Sequence, residues 1–215
     1  MPATKLIWIT PNAESIITYC ARVSNPKSQE ENKSPERLLK YLIKHKHWSP
    51  FEMASACVEI NTTRDISAQI LRHRSFSFQE FSQRYAEVEQ PLTLPQWRRQ
   101  DLTNRQNSIS DLSNVATAEA DRLCLEAYAA AVDAYQRLLE LGVAKECARK
   151  VLPINSPTRL YMSGTLRSWL HYLQVRRGPE TQLEHRVIAQ EIASILCKEI
   201  PSIFNVIQET NSDQD

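Results

Sequence analysis

Apolar positions recur along this chain with two different periods, and the changes of period divide it into elements. Lys5 to Thr10 (KLIWIT) predicts a short strand, and Asn12 then opens a helix through Ile16, Ile17 and Cys20. Ser34-Pro35-Glu36 is a helix start with proline in the first turn, followed by an apolar stripe of Leu38, Leu39, Leu42 and Ile43. Pro50 marks the break after it. Beyond it Ala54, Ala56, Val58 and Ile60 alternate with more polar neighbours, which predicts a half-buried strand running to Thr62. Asp65 is placed to cap a helix carrying Ile66, Gln69 and Ile70, and that helix delivers Arg72-His73-Arg74 at its end.

The next stretch, Val88 to Val115, is polar, contains Pro91 and Pro95, and predicts a long surface loop. Four helices are expected after it. They span Ala118 to Leu141 (stopped by Gly142), Lys145 to Leu152, Thr158 to Val175, and Pro179 to Ile200. The tail after Ile207 is polar and predicted to fray. No repeat or linker interrupts the pattern. The expected fold is α+β: one domain over residues 1–215, a central antiparallel or mixed sheet flanked by helices, and long C-terminal helices, with a polar tail from about 208.

Composition changes this picture in three ways. A formal net charge of +1 gives no bulk attraction to nucleic acid or an acidic membrane, so any basic site has to be local. Five cysteines, Cys20, Cys57, Cys124, Cys147 and Cys197, form no C-x-x-C pair, which fits reduced thiols rather than a disulfide framework or a zinc site. With no signal-like start and no long apolar run, the sequence predicts a soluble cytoplasmic protein that does not enter a membrane. Only three glycines are present, Gly142, Gly164 and Gly178, too few and too scattered for a dinucleotide fingerprint or a P-loop. Phosphates, if bound, must be held by side chains.

Side chains suited to that task are concentrated between Gln69 and Tyr85 (QILRHRSFSFQEFSQRY). Arg72, Arg74 and Arg84 offer planar donor forks, Ser75, Ser77 and Ser82 offer hydroxyls, and Phe76, Phe78 and Phe81 are interleaved with them. Taken alone, the segment is also compatible with surface ion pairs around a core strand of phenylalanines, because exposed pairs are common and weak. His45 and His185 are expected to be solvated helix residues, and Trp169 and Tyr172 to be core.

The spacing within this segment is more specific than its composition. Arg72-His73-Arg74, then seven residues and Ser82, resembles the signature of the flavin-dependent thymidylate synthase family. Upstream, His47-Trp48-Ser49-Pro50-Phe51-Glu52 resembles that family's H-x-[ST]-P-F-E element. Downstream, Glu146 to Pro153 resembles its E-x-A-R-x-x-L-P element, and Arg167-Ser168, His171, Arg176, Gln182 and Glu184 resemble its C-terminal block. The resemblance covers most of the chain.

It implies a methyltransferase that converts dUMP into dTMP, with methylenetetrahydrofolate as carbon donor and FAD reduced by NADPH. It also implies a homotetramer with sites shared between subunits. By position, Arg72, His73, Arg74 and Glu80 would contact FAD, with Ser24, Ser49, Arg167 and His171 at weaker flavin positions. Gln69, Ser82, Gln83 (through its backbone N–H) and Arg84 would hold dUMP, Arg72 and Glu80 would also face it, and Arg149 would reach it from a neighbouring subunit. Arg176 would meet the uracil ring as the activating residue, and no metal is implied. Gln79, Thr165 and Glu180 depart from the commoner family pattern, all on the flavin side.

Two other readings stay open at this stage. One is a flavin oxidoreductase that consumes NADPH without methyl transfer. The other is a single-stranded nucleic-acid module with the phenylalanines as stacking platforms. Glu80 within the basic stretch and the near-zero net charge argue against the second.

Overall fold

The computed structural model describes residues 3–31, 35–87 and 94–205. The predicted helix start at Ser34, the first part of the Val88–Val115 loop and the polar tail lie outside the described residues. The elements are β1 (Thr4–Ile9), α1 (Ala13–Ala21), α2 (Pro26–Glu31), α3 (Pro35–Lys44), β2 (Ser55–Thr63), α4 (Arg64–Ile70), β3 (Ser77–Glu80), β4 (Arg99–Gln100), β5 (Ser108–Ile109), α5 (Asn114–Glu140), α6 (Lys145–Ala148), β6 (Pro157–Thr165), α7 (Leu166–Arg176) and α8 (Leu183–Glu199). Four strands form one sheet in the order β1-β2-β6-β3, and β4 and β5 pair as a separate ribbon. β1 runs antiparallel to β2, with a register shift between Leu6 and Trp8. The architecture is α+β, as the pattern predicts.

The chain clusters into two compact units. The first comprises Met1–Ile60, Leu71–Gln79 and Tyr161–Asp215; the second comprises Asn61–Ile70 and Glu80–Leu160. In the first, Ile17, Leu39, Phe51 and the β2 residues Ala56, Val58 and Ile60 are buried. α7 contributes Leu166, Trp169, Leu170, Tyr172 and Leu173 to its core, and α8 contributes Ile188, Ile192 and Leu196. Trp169 donates its indole N–H to the Ala56 carbonyl at 3.2 Å, which satisfies the one polar atom of the largest core side chain. In the second unit, Ile66 and Ile70 of α4, Tyr135 and Leu160 are buried. The N–H groups of Arg64 and Asp65 are taken by the carbonyls of Ser156 and Ile154, both at 3.0 Å. Backbone therefore caps α4, and Asp65 lies inside the first turn instead of capping it.

The sequence pattern misplaces two further features. Residues 158–175 are not one helix: β6 occupies Pro157–Thr165 and α7 starts at Leu166. Thr158, Leu160 and Met162 are buried while Arg159 is exposed, a period of two concealed by helix-compatible residues on either side. Thr165 ends the strand and caps α7, accepting from the Ser168 N–H at 3.2 Å. The last helix likewise begins at Leu183, not Pro179. His185, expected to be solvated, has no exposed surface, because α8 turns that face toward Tyr172.

Candidate active site

In the first unit, α4 has ended and the chain passes through a turn carrying Arg72, His73 and Arg74 before β3. Arg72 and Arg74 are exposed, while His73 is half-buried. Its ring meets Tyr172 edge-on, with centroids 4.9 Å apart, and lies 6.4 Å from the ring of His185. Arg176, at the end of α7, donates from Nε to His73 Nε2 at 2.8 Å. Behind them the Tyr172 hydroxyl and His185 Nε2 are 3.0 Å apart and buried. Tyr172 and Arg176 are four residues apart on α7 and so share a face.

This cluster is electrostatically one-sided. Burial first, then the charges of Arg176 and His171, push His73 down to about 4. Burial, then Arg176 and His73, push His185 down to about 3. Burial raises the Tyr172 phenol. At neutral pH both imidazoles are uncharged and Tyr172 keeps its proton. A cation beside two neutral rings and a phenol suits an electron-rich or anionic ring edge.

A pocket of about 480 Å³ lies in the same unit, lined by Trp48, Glu52, Ser75, Arg167, Ser168, Leu170, His171 and Gln174. Arg167 is ion-paired with Glu52 there, and Ser168 donates to the Ser75 carbonyl at 3.2 Å. Of the residues implied for the flavin, Arg167 and His171 line this pocket. Ser49 follows the lining residue Trp48, and Ser24 stands exposed in the turn after α1. Apolar walls with a few convergent donors make a pocket of this size suitable for a planar ring system.

The second unit holds the other implied residues. Ser82, Gln83 and Arg84 form a turn in which the N–H groups of Tyr85 and Ala86 reach the Ser82 carbonyl, each at 3.1 Å. The Ser82 hydroxyl accepts from the Arg84 N–H at 3.3 Å. Arg84 is exposed, stacks 5.5 Å from the Tyr85 ring centre, and pairs with Glu146 at 3.2 Å. Gln83 is buried and its Nε2 has no partner among the described residues. Glu80 is anchored: its Oε1 accepts from Ser67 at 2.6 Å, Thr158 at 3.0 Å and Arg64 at 3.0 Å. Gln69 lies on α4, and Arg149 opens the short 3-10 turn after α6.

The structure thus joins His73 to Arg176 and lines one pocket with Arg167 and His171 in the first unit, and gathers Ser82, Gln83 and Arg84 into one turn in the second, where Glu80 also lies. Sequence reading missed Tyr172 and His185 behind His73, and Arg64, Ser67 and Thr158 around Glu80. The i,i+4 spacing of Tyr172 and Arg176 was the available signal for the first set. The second depends on contacts distant in sequence and had none.

The sequence model of the family described as thymidylate synthase complementing protein matches residues 5–202. The chain belongs to that family. The match runs through both units. A probable flavin-dependent thymidylate synthase of Paramecium bursaria Chlorella virus 1 is 50% identical over 199 residues, covering 91% of this chain and 90% of the viral one. A flavin-dependent thymidylate synthase of Synechocystis sp. is 46% identical over 195 residues, covering 91% and 89%. Among solved structures, a UMP/dUMP methylase PolB from Streptomyces cacaoi bound with 5-Br dUMP superposes with a TM-score of 0.84 at 26% identity, covering 96% of this chain and 94% of that one. Among the described residues no helix is long and apolar enough to cross a membrane, and no three His, Cys, Asp or Glu are grouped to hold a metal.

Proposed function

We propose that this chain is a flavin-dependent thymidylate synthase that methylates dUMP to dTMP, with methylenetetrahydrofolate as carbon donor and FAD reduced by NADPH. The observation that carries the reading is an arginine held beside neutral rings, Arg176 on His73; in the other unit, described by itself, a Ser-Gln-Arg turn carries a weakly engaged guanidinium. A single family match through both units supports treating the chain as one synthase domain.

The chemistry of the residues fits each ligand. The pocket beside Trp48 combines an aromatic wall with Arg167, Ser168, His171 and Gln174, donors suited to the carbonyl edge of a flavin ring. Bound and reduced by NADPH, the flavin would supply the electron pair that completes the methyl group. Arg176 is then the residue for the uracil N3–O2 edge, where its charge stabilises the negative charge that makes C5 nucleophilic.

Phosphate binding is a competition that magnitudes decide. The exposed Arg84–Glu146 pair, with each side chain about half accessible, is worth about 0–1 kcal/mol. A charge-assisted hydrogen bond to phosphate contributes about 1.5–3 kcal/mol. The phosphate therefore displaces Glu146. Gln83 presents its backbone N–H from the same turn.

Apolar exposure along α5 supports the oligomer. Of its 27 residues only Tyr135 is buried, while Leu123, Leu125 and Val115 are exposed, Val115 at 81%. A homotetramer with Arg149 entering a neighbour's site is the assembly we infer, with α5, which buries so little of itself in its own chain, among its contacts.

The test is the visible absorption spectrum of the purified protein followed by a dTMP assay in which dUMP, methylenetetrahydrofolate, FAD and NADPH are left out one at a time. Flavin absorbance with dTMP that needs every component is the expected outcome. NADPH consumption without dTMP would make the chain an oxidase instead. Colourless protein that binds oligonucleotides would return the nucleic-acid reading.

A further inference from the structure

The hydrogen bond between His73 and Arg176 constrains which edge of the guanidinium is free. Arginine carries five N–H donors in a rigid plane, one on Nε and two on each terminal nitrogen, and has no acceptor. With Nε committed to His73 Nε2 at 2.8 Å, the bidentate edge that remains is the one between the two terminal nitrogens. Nε always carries a proton, so His73 Nε2 has to be the bare, accepting nitrogen and the ring proton has to sit on Nδ1.

We propose that His73 is the positioning residue for Arg176: a neutral Nδ1–H imidazole that holds Nε and presents the terminal fork of the guanidinium to the uracil edge of dUMP. This assignment rests on the reading of Arg176 given above and goes beyond it. It gives His73 a duty toward the nucleotide in addition to any contact with flavin, and so ties the two ligand positions together through one hydrogen bond.

The surroundings favour this state of the ring. Tyr172 packs edge-on against it from α7, and His185 stands behind from α8. Arg176 and His171, also from α7, are the neighbours whose charge opposes an imidazolium, and burial opposes it further. A protonated His73 would lose the acceptor and place like charges within hydrogen-bond distance, releasing the fork. A lysine in place of Arg176 could satisfy His73 or meet uracil, but its single nitrogen cannot span both positions as a rigid plane.

The test uses the flavin-loaded protein and equilibrium binding of dUMP rather than turnover. Nitrogen NMR of His73 at neutral pH should show the Nδ1–H tautomer with Nε2 accepting, and the pattern should persist when dUMP is added. His73→Leu should weaken dUMP binding at least tenfold in calorimetry, and His73→Gln, which keeps a carbonyl acceptor, should recover a large part of that loss at equal flavin content. A protonated or Nε2–H ring, or loss of the Nε2 hydrogen bond on adding dUMP, overturns the proposal without recourse to any variant. Equal dUMP affinity in wild type and His73→Leu overturns it as well. Absence of dUMP binding by the wild type at any concentration would instead contradict the synthase reading on which the proposal rests.

Discussion

The Tyr172 hydroxyl and His185 Nε2 lie 3.0 Å apart with both side chains fully buried, so two polar groups of the core depend on each other. His185 is held down to about 3, chiefly by burial, against an ordinary value of 6.5. The unfolded chain therefore takes up a proton near pH 6.5 that the folded one refuses until about 3. Stability from this group is complete above 6.5 and is lost as pH falls through that window, with His73, held at about 4, acting in the same sense. Denaturant midpoints measured from pH 7.5 to 4.5 should fall steadily. His185→Leu should be less stable at pH 7 by about 1–3 kcal/mol, because the Tyr172 hydroxyl loses that partner, yet show a shallower acid slope. An unchanged slope would mean that His185 titrates alike in the folded and unfolded chain.

Arg84→Ala should weaken dUMP binding by about tenfold to a hundredfold while flavin stays bound, the loss of one charge-assisted contact to phosphate. Calorimetric titration decides it. Unchanged affinity would leave Arg84 as no more than the partner of Glu146.

The sulfur of Cys147 is exposed, two residues before Arg149, and no other observation makes it a nucleophile. Cys147→Ala should form dTMP within a few-fold of wild type, since the proposed reaction uses no protein thiolate. Turnover abolished with fold and flavin content intact would require a covalent mechanism.

Gly164→Ala should destabilise the protein by about 1–3 kcal/mol through overpacking. A Cβ there would lie 2.5 Å from Phe76 Cδ1, and Phe76 is wedged against Trp169 with ring centres 4.8 Å apart. Thermal or denaturant unfolding measures the cost. A neutral result would show that Phe76, between the Arg72-His73-Arg74 turn and β3, has room to move.

Much of this protein is legible in the local chemistry of its sequence. The alternation of Ala56, Val58 and Ile60 marks β2, and the Arg72–Ser82 spacing marks a stretch that the structure folds as a turn, β3 and a second turn. β6 is not legible locally, because Arg159, Leu160, Tyr161 and Met162 satisfy a helix as readily as a strand, and only pairing within the sheet chooses between them. The burial of His185 is hidden for a related reason. Nothing local reveals that a histidine in a helical sequence will face a tyrosine hydroxyl on another helix. The anchoring of Glu80 by Thr158, 78 residues away, is likewise a property of the fold alone.

The central claim is that methyl formation draws its electron pair from flavin on this chain, and an anaerobic single turnover measures it directly. Protein with its flavin reduced by stoichiometric NADPH would be mixed with dUMP and methylenetetrahydrofolate, following flavin absorbance and dTMP together. The account predicts that oxidised-flavin absorbance returns in step with dTMP, one for one per active site. Flavin that stays reduced until oxygen is admitted, with no dTMP formed, would contradict it.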